Sequence, residues 1–183
     1  IPYVILDRVL KDGAGSSELE AEMWRVAEQT GLTVVSDFTA ANYRRKGLDT
    51  SLPGAVVNHL GRMAMTLEVG PCRTLLPTAV NIMTDSVMGA LGALHMVKES
   101  AAAHSTRVGI GPLRREGGPV TSTEGLLVPR CKPGDALEAG QVLGEVRSLE
   151  GGIKELLRAE GACFVLAWPD YNYVKEGFSV ATL

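Results

Sequence analysis

The segment Arg62-Met-Ala-Met-Thr-Leu-Glu68-Val-Gly70-Pro71 puts a carboxylate at the end of an otherwise apolar, strand-like run. Alternation along a strand sends Met63, Met65, Leu67 and Val69 to one face and Ala64, Thr66 and Glu68 to the other. Gly-Pro follows at once, so Glu68 falls at the strand's C-terminal edge, where open α/β sheets bind their ligands. Shielded from bulk water, a carboxylate there suits a general base; solvated or ion-paired, it is only a surface acid. Arg62 lies on the same face if the strand extends that far, and its guanidinium could grip a substrate carboxylate. Tyr43, Arg44 and Arg45 fall in a segment, residues 37–50, that reads as an exposed loop able to cover the site or simply to stay solvated.

The remaining groups with reactive potential are scattered. His59 closes a short helix, where the helix dipole favours its protonated form, and its loop leads towards Glu68. His95 reads as a packed or helix-end histidine and His104 as a solvated linker residue. Cys72, Cys131 and Cys163 are odd in number and lack any C-x-x-C spacing. They read as small buried apolar residues of a reducing compartment, hence a cytoplasmic location.

Positioning Glu68 takes a layered α/β scaffold, and the first half of the chain has its signature. Pro2 to Leu10 is strand-like. A helix follows, with Ser17 and Glu20 as a capping box, Leu19, Met23 and Val26 as its apolar stripe, and Gly31 past its end. Leu32 to Ser36 is the next strand; Ser51 caps a short helix with Pro53 in its first turn and Gly61 at its end. Met63 to Val69 is a third strand, and Pro77 to Lys98 the longest helix, apolar enough to be buried against the sheet. Gly89 and Gly92 on that helix would admit a neighbouring backbone. Such alternation implies a mainly parallel sheet.

From Glu99 the texture becomes short β-like runs broken by Gly and Pro, after the linker Ala101-Ala-Ala-His-Ser105. Glu124-Gly125-Leu-Leu-Val matches Glu160-Gly161-Ala-Cys-Phe, and Leu137-Glu-Ala-Gly140-Gln-Val-Leu matches Val174-Lys-Glu-Gly177-Phe-Ser-Val, at offsets of 36 and 37 residues. This is a two-fold internal repeat, each copy a strand, a turn and a strand, with Lys132-Pro-Gly134-Asp fitting a type II turn. The repeat resembles the biotinyl/lipoyl hammerhead, but no Met-Lys-Met or Asp-Lys-Ala presents a carrier lysine, so a structural barrel-sandwich is expected.

Composition sets the outer bounds. The 183 residues are 45% apolar and 21% charged with a net charge of −3, which excludes a disordered, collagen-like or disulfide-framed chain. No block of like charge recommends nucleic acid, and no apolar run is long enough to span a membrane. The sequence opens at Ile1 inside a strand-like run, which leads to the expectation that an N-terminal part precedes it.

Thr66-Leu-Glu68-Val-Gly70-Pro71, followed by a long apolar helix and a repeated β domain, resembles the succinylglutamate desuccinylase/aspartoacylase family, over its C-terminal half only. The resemblance implies a zinc-dependent hydrolase removing an N-acyl group from an amino acid or similar small amide. It implies Glu68 as general base and then general acid, and a zinc ion held by two histidines and one glutamate. No His-x-x-Glu occurs here, so the metal ligands are expected upstream, in a missing N-terminal segment or a second chain, and this fragment alone is expected to be inactive. The texture is nearest to the bacterial deacylases typified by acetyl-diaminobutyrate deacetylase. In the family the C-terminal domain partly covers the pocket, which adds Tyr171 and Tyr173, in the loop Trp168-Pro-Asp-Tyr171-Asn-Tyr173, to Arg62, Arg44 and Arg45 as substrate-binding candidates.

The implied fold class is α/β. Residues 1–98 form part of a zinc-carboxypeptidase-like mixed sheet with helices, 99–106 a linker, and 107–183 a small all-β barrel-sandwich-like domain. The expected partners are a small N-acyl substrate and the missing segment or chain, with no nucleic acid or membrane and with room for a homo-oligomer. The reading from another class is a non-catalytic binding module built on the barrel-sandwich.

Overall fold

A computed structural model describes residues 1–10, 14–71, 74–98, 106–108 and 113–183. The chain divides into two compact units, Pro2–Arg115 and Glu116–Leu183, with Ile1 joining the second.

The first unit contains β1 (Tyr3–Leu6), α1 (Ala14–Glu28), β2 (Thr33–Ser36), α2 (Ala40–Arg45), α3 (Leu52–Asn58), β3 (Met65–Glu68), α4 (Pro77–Ala93) and β4 (Leu113–Arg114). Its sheet has the order β3-β1-β2-β4, mixed in direction: β2 runs parallel to both β1 and β4, while β3 is antiparallel to β1. Every residue of β1 is buried, as its unbroken Tyr-Val-Ile-Leu run requires of a central strand covered on both faces. Val4 and Leu6 pack with Leu32, Val34, Met23, Ala27 and Val57 into one core cluster, to which β3 adds Met65 and Leu67. Those two are the residues that alternation assigns to one face of β3.

Several elements depart from the sequence expectation. α1 already includes Ala14, so Ser17 sits inside the helix and is not its cap. The segment expected as an exposed loop holds α2 and a 3-10 turn at Leu48–Thr50, and Tyr43 is fully buried. A single large aromatic anchors that helix, a signal too sparse to show as periodicity. α4 is the longest helix, but Ser86 and Gly89 are its buried residues, while Val80 and Val87 along it and Leu94 at its end stay exposed. Its apolar composition therefore does not reflect burial against the sheet. Gly89 does admit a backbone: a Cβ there would lie 2.0 Å from the Gln29 carbonyl oxygen. Ser51 caps α3 as expected, accepting from the Gly54 N–H at 3.2 Å. The boundary also moves. β4 pairs with β2 and Arg115 N–H donates to the Ser36 carbonyl at 2.8 Å, so the chain belongs to the first unit beyond the 99–106 linker, most of which lies outside the described residues.

The second unit contains β5 (Gly125–Pro129), β6 (Ala136–Leu137), β7 (Val142–Arg147), β8 (Ile153–Arg158), β9 (Cys163–Phe164) and β10 (Tyr173–Val174). A four-stranded sheet, β10-β5-β7-β8, and a two-stranded one, β6-β9, enclose a core of Leu127, Leu143, Val146, Leu157, Val165 and Val180. Among the described residues these sheets do not close into a barrel. β5 and β6 fall in one copy of the sequence repeat and β9 and β10 in the other; β5 pairs antiparallel with β10 and β6 with β9, across the copies, and β5 also pairs with β7. Gly134 has φ 97°, and Asp135 N–H donates to the Lys132 carbonyl, as a type II turn demands. Glu145 is buried on β7 between Arg130, at 2.9 Å, and Arg147. Burial opposes its charge, but the hydrogen bonds from Arg147 and Arg130 overturn that and hold the carboxyl below its ordinary range. Cys131 and Cys163 are free and half-buried, less enclosed than expected, and burial raises both thiols; Cys72 lies outside the described residues.

Candidate functional site

Glu68 is the last residue of β3, half-buried, and the ladder sets it directly opposite Tyr3 of β1. Cross-strand partners project to the same face, so the Tyr3 phenol reaches the carboxylate and donates to Oε2. Tyr3 is 3% exposed. Burial first, then the hydrogen bond and charge of Glu68, push the phenol well above its ordinary range, so it remains a neutral donor.

The pattern that singles out Glu68, an acid closing an apolar strand, occurs twice more in this sheet. Asp7 follows β1 and Asp37 follows β2, at the C-terminal edge of the parallel pair, 6% and 4% exposed. Both line a cavity of about 240 Å³ together with Arg8, Glu20, Trp24 and Ser36. Asp7 Oδ1 accepts from the Tyr43 hydroxyl at 2.8 Å. Burial raises the Asp7 carboxyl, and the Tyr43 hydrogen bond partly offsets this. Burial also raises Asp37, against the Phe38 N–H that it accepts at 2.8 Å and the Arg115 guanidinium 3.8 Å away. Arg115 and Lys46 lie over the Phe38 ring, 4.9 and 4.8 Å from its centroid, favourable cation–π distances. Tyr3, Asp7, Asp37 and Arg115 were not singled out from the sequence, although Val-Ile-Leu-Asp7 and Val-Val-Ser-Asp37 carry the same signal as Thr-Leu-Glu68.

The other candidates occupy varied surroundings. Arg62 is exposed and precedes β3, so the strand does not reach back to it. Arg44 and Arg45 are exposed in the last turn of α2. In the second unit, Tyr173 stands on β10 and Tyr171 packs against Phe178 with ring centroids 5.2 Å apart; both tyrosines are about half exposed. His59 caps the end of α3 and His95 follows α4 with φ 57°, both exposed, while His104 lies outside the described residues. Among the described residues no three His, Cys, Asp or Glu side chains gather as a metal-binding group. The residues present therefore do not by themselves fit the zinc ion that the resemblance implies. No helix among them is long and apolar enough to cross a membrane.

No family model matches the sequence, and no curated protein matches it. Solved structures do. A succinylglutamate desuccinylase from Silicibacter sp. TM1040 superposes on 99% of this chain with TM-score 0.74 at 14% identity. A succinylglutamate desuccinylase/aspartoacylase from Rhodobacter sphaeroides matches all of it with TM-score 0.73 at 16% identity. This chain has the desuccinylase/aspartoacylase fold. The product-bound ectoine utilization protein EutE (DoeB) from Ruegeria pomeroyi also matches all of the chain, with TM-score 0.70 at 16% identity. The chain spans about half of these structures, 52% of the first two and 53% of the third. These 183 residues thus share the fold of about half of those structures at 14–16% identity.

Proposed function

We propose that this chain is the base-bearing part of a zinc-dependent hydrolase that removes an N-acyl group from an amino acid or similar small amide. The observation that carries the reading is Glu68: a half-buried carboxylate at the closing end of an apolar strand, held by a neutral phenol, in a chain with the desuccinylase/aspartoacylase fold. On this reading Glu68 accepts a proton from the attacking water and returns it to the departing amine. The metal ligands belong to sequence outside these residues, in a preceding segment or a second chain. Arg62, Arg44, Arg45, Tyr171 and Tyr173 are the side chains proposed to bind the substrate's polar groups.

The test is Glu68→Gln in the protein assembled with its metal-bearing part, assayed on N-acyl amino acids. Turnover should fall at least about a hundredfold, the scale of losing a general base, with fold and metal content retained. Activity near that of the parent would sink the assignment. The lack of a metal-binding trio among the described residues favours, as second reading, a non-catalytic binding module. That reading prevails if the assembled protein holds no metal and cleaves no N-acyl substrate.

A further inference from the structure

A general base must present a lone pair to water, yet the Glu68 carboxylate is already engaged. The antiparallel ladder places Tyr3 against it, and Tyr3 is too buried for its ring to swing away. The phenol donates to Oε2 and leaves Oε1 uncommitted to it. We propose that Tyr3 is a positioning residue for Glu68, fixing one carboxylate oxygen so that the other faces the proton to be taken. The proposal rests on the reading of Glu68 as the base.

Three features support it. β1 is the central strand that carries the core, so the donor stands on the most rigid element of the unit. The phenol is held protonated by burial and by Glu68, and so acts as a donor and not as a competing base. The charges that act through space on the pair come from other strand ends: Asp37 after β2, and Arg115 after β4 with the opposite sign. Lys46, beyond α2, acts on Asp37. A rigid neutral donor restrains the carboxylate without cancelling its charge, which a lysine or arginine in its place would do. The transferred proton passes from water to Oε1, and the Tyr3 proton stays on Tyr3.

The discriminating variant is Tyr3→Phe, which keeps the buried ring and deletes only the donor. In the assembled protein kcat should fall about tenfold or more with KM within about twofold, the loss of an interaction made in the transition state. A merely structural tyrosine would lower thermal stability and leave kcat in place. Glu68→Gln run alongside separates the two ideas. If Glu68→Gln retains activity, the reading of Glu68 fails and the positioning role with it. If Glu68→Gln is inactive while Tyr3→Phe keeps parental kcat, the positioning role alone is overturned. A readout independent of turnover is the hydroxyl proton of Tyr3 in NMR spectra of the chain with labelled tyrosine. It should lie downfield, vanish in Tyr3→Phe and move upfield in Glu68→Gln; a resonance indifferent to Glu68→Gln would also overturn the proposal.

Discussion

The buried Asp7–Tyr43 pair allows a quantitative test of how the strand ends are held. Tyr43→Phe removes one hydroxyl from a fully buried ring and leaves the ring's packing in place, so little cavity forms. What is lost is a 2.8 Å hydrogen bond to a carboxylate that is only 6% exposed. A hydrogen bond to a charged group contributes about 1.5–3 kcal/mol, whereas one between neutral groups contributes about 1 kcal/mol. The cost of Tyr43→Phe should therefore depend on whether Asp7 is ionised. At pH 8 it should be about 2 kcal/mol; below the titration of Asp7 it should fall to about 1 kcal/mol. The sign follows from linkage: without Tyr43 the folded-state carboxyl rises further, so destabilisation grows as pH rises through that titration. Urea unfolding followed by the fluorescence of Trp24, which lines the same cavity, in a Trp168→Phe background, measures it. A cost under about 0.5 kcal/mol at pH 8, or the same cost at pH 8 and pH 4, refutes the reasoning.

Asp7 and Asp37 both titrate above their ordinary value of 3.8 when folded, so the stability they contribute is full below that value and is lost as pH rises through their folded titrations. Asp7→Asn should flatten that part of the stability–pH curve of the first unit, and an unchanged slope would mean the carboxyl is not desolvated. Gly89→Ala should destabilise by about 2 kcal/mol or more, since the added Cβ meets the Gln29 carbonyl at 2.0 Å and one backbone must give way. Gly15→Ala, in α1 with nothing within 4 Å of its new methyl group, should instead stabilise by about 0.5–1 kcal/mol; thermal melts of the two variants read the contrast.

The parts of this fold that were legible in the sequence are those with a local cause. Thr-Val-Val-Ser, the Ser51 cap, Gly31 after α1 and the Lys132–Asp135 turn each announce themselves within a few residues. What escaped depends on contacts between distant residues. Tyr43 is buried because Asp7, 36 positions away, offers it an acceptor, and nothing in Ala-Asn-Tyr-Arg-Arg reports that. β4 consists of two residues recruited by β2 after a long excursion, and so short a strand has no alternation to read. At the site, Glu68 was visible from Gly-Pro and the strand it ends, but its partner Tyr3 required the β1–β3 register, which is fixed only when the chain folds.

The crossed pairing of the repeat also bears on how the second unit can exist at all. Within one copy, β5 and β6 do not pair with each other: β6 finds its partner β9 in the other copy, and β5 pairs on one side with β10 of the other copy and on its other side with β7. A single copy alone in solution would leave β6 and one edge of β5 unpaired, and two molecules of it would have to meet before these were satisfied. Joining the copies in one chain turns that bimolecular encounter into an internal one, at an effective concentration on the order of millimolar for a short tether. β7 begins in the first copy, and its hairpin partner β8 lies between the copies as part of that tether; closure cost grows only slowly with tether length. The inserted strand β8 thus leaves the internal encounter nearly as favourable as a shorter joint would, and extends the sheet beyond β7 while doing so.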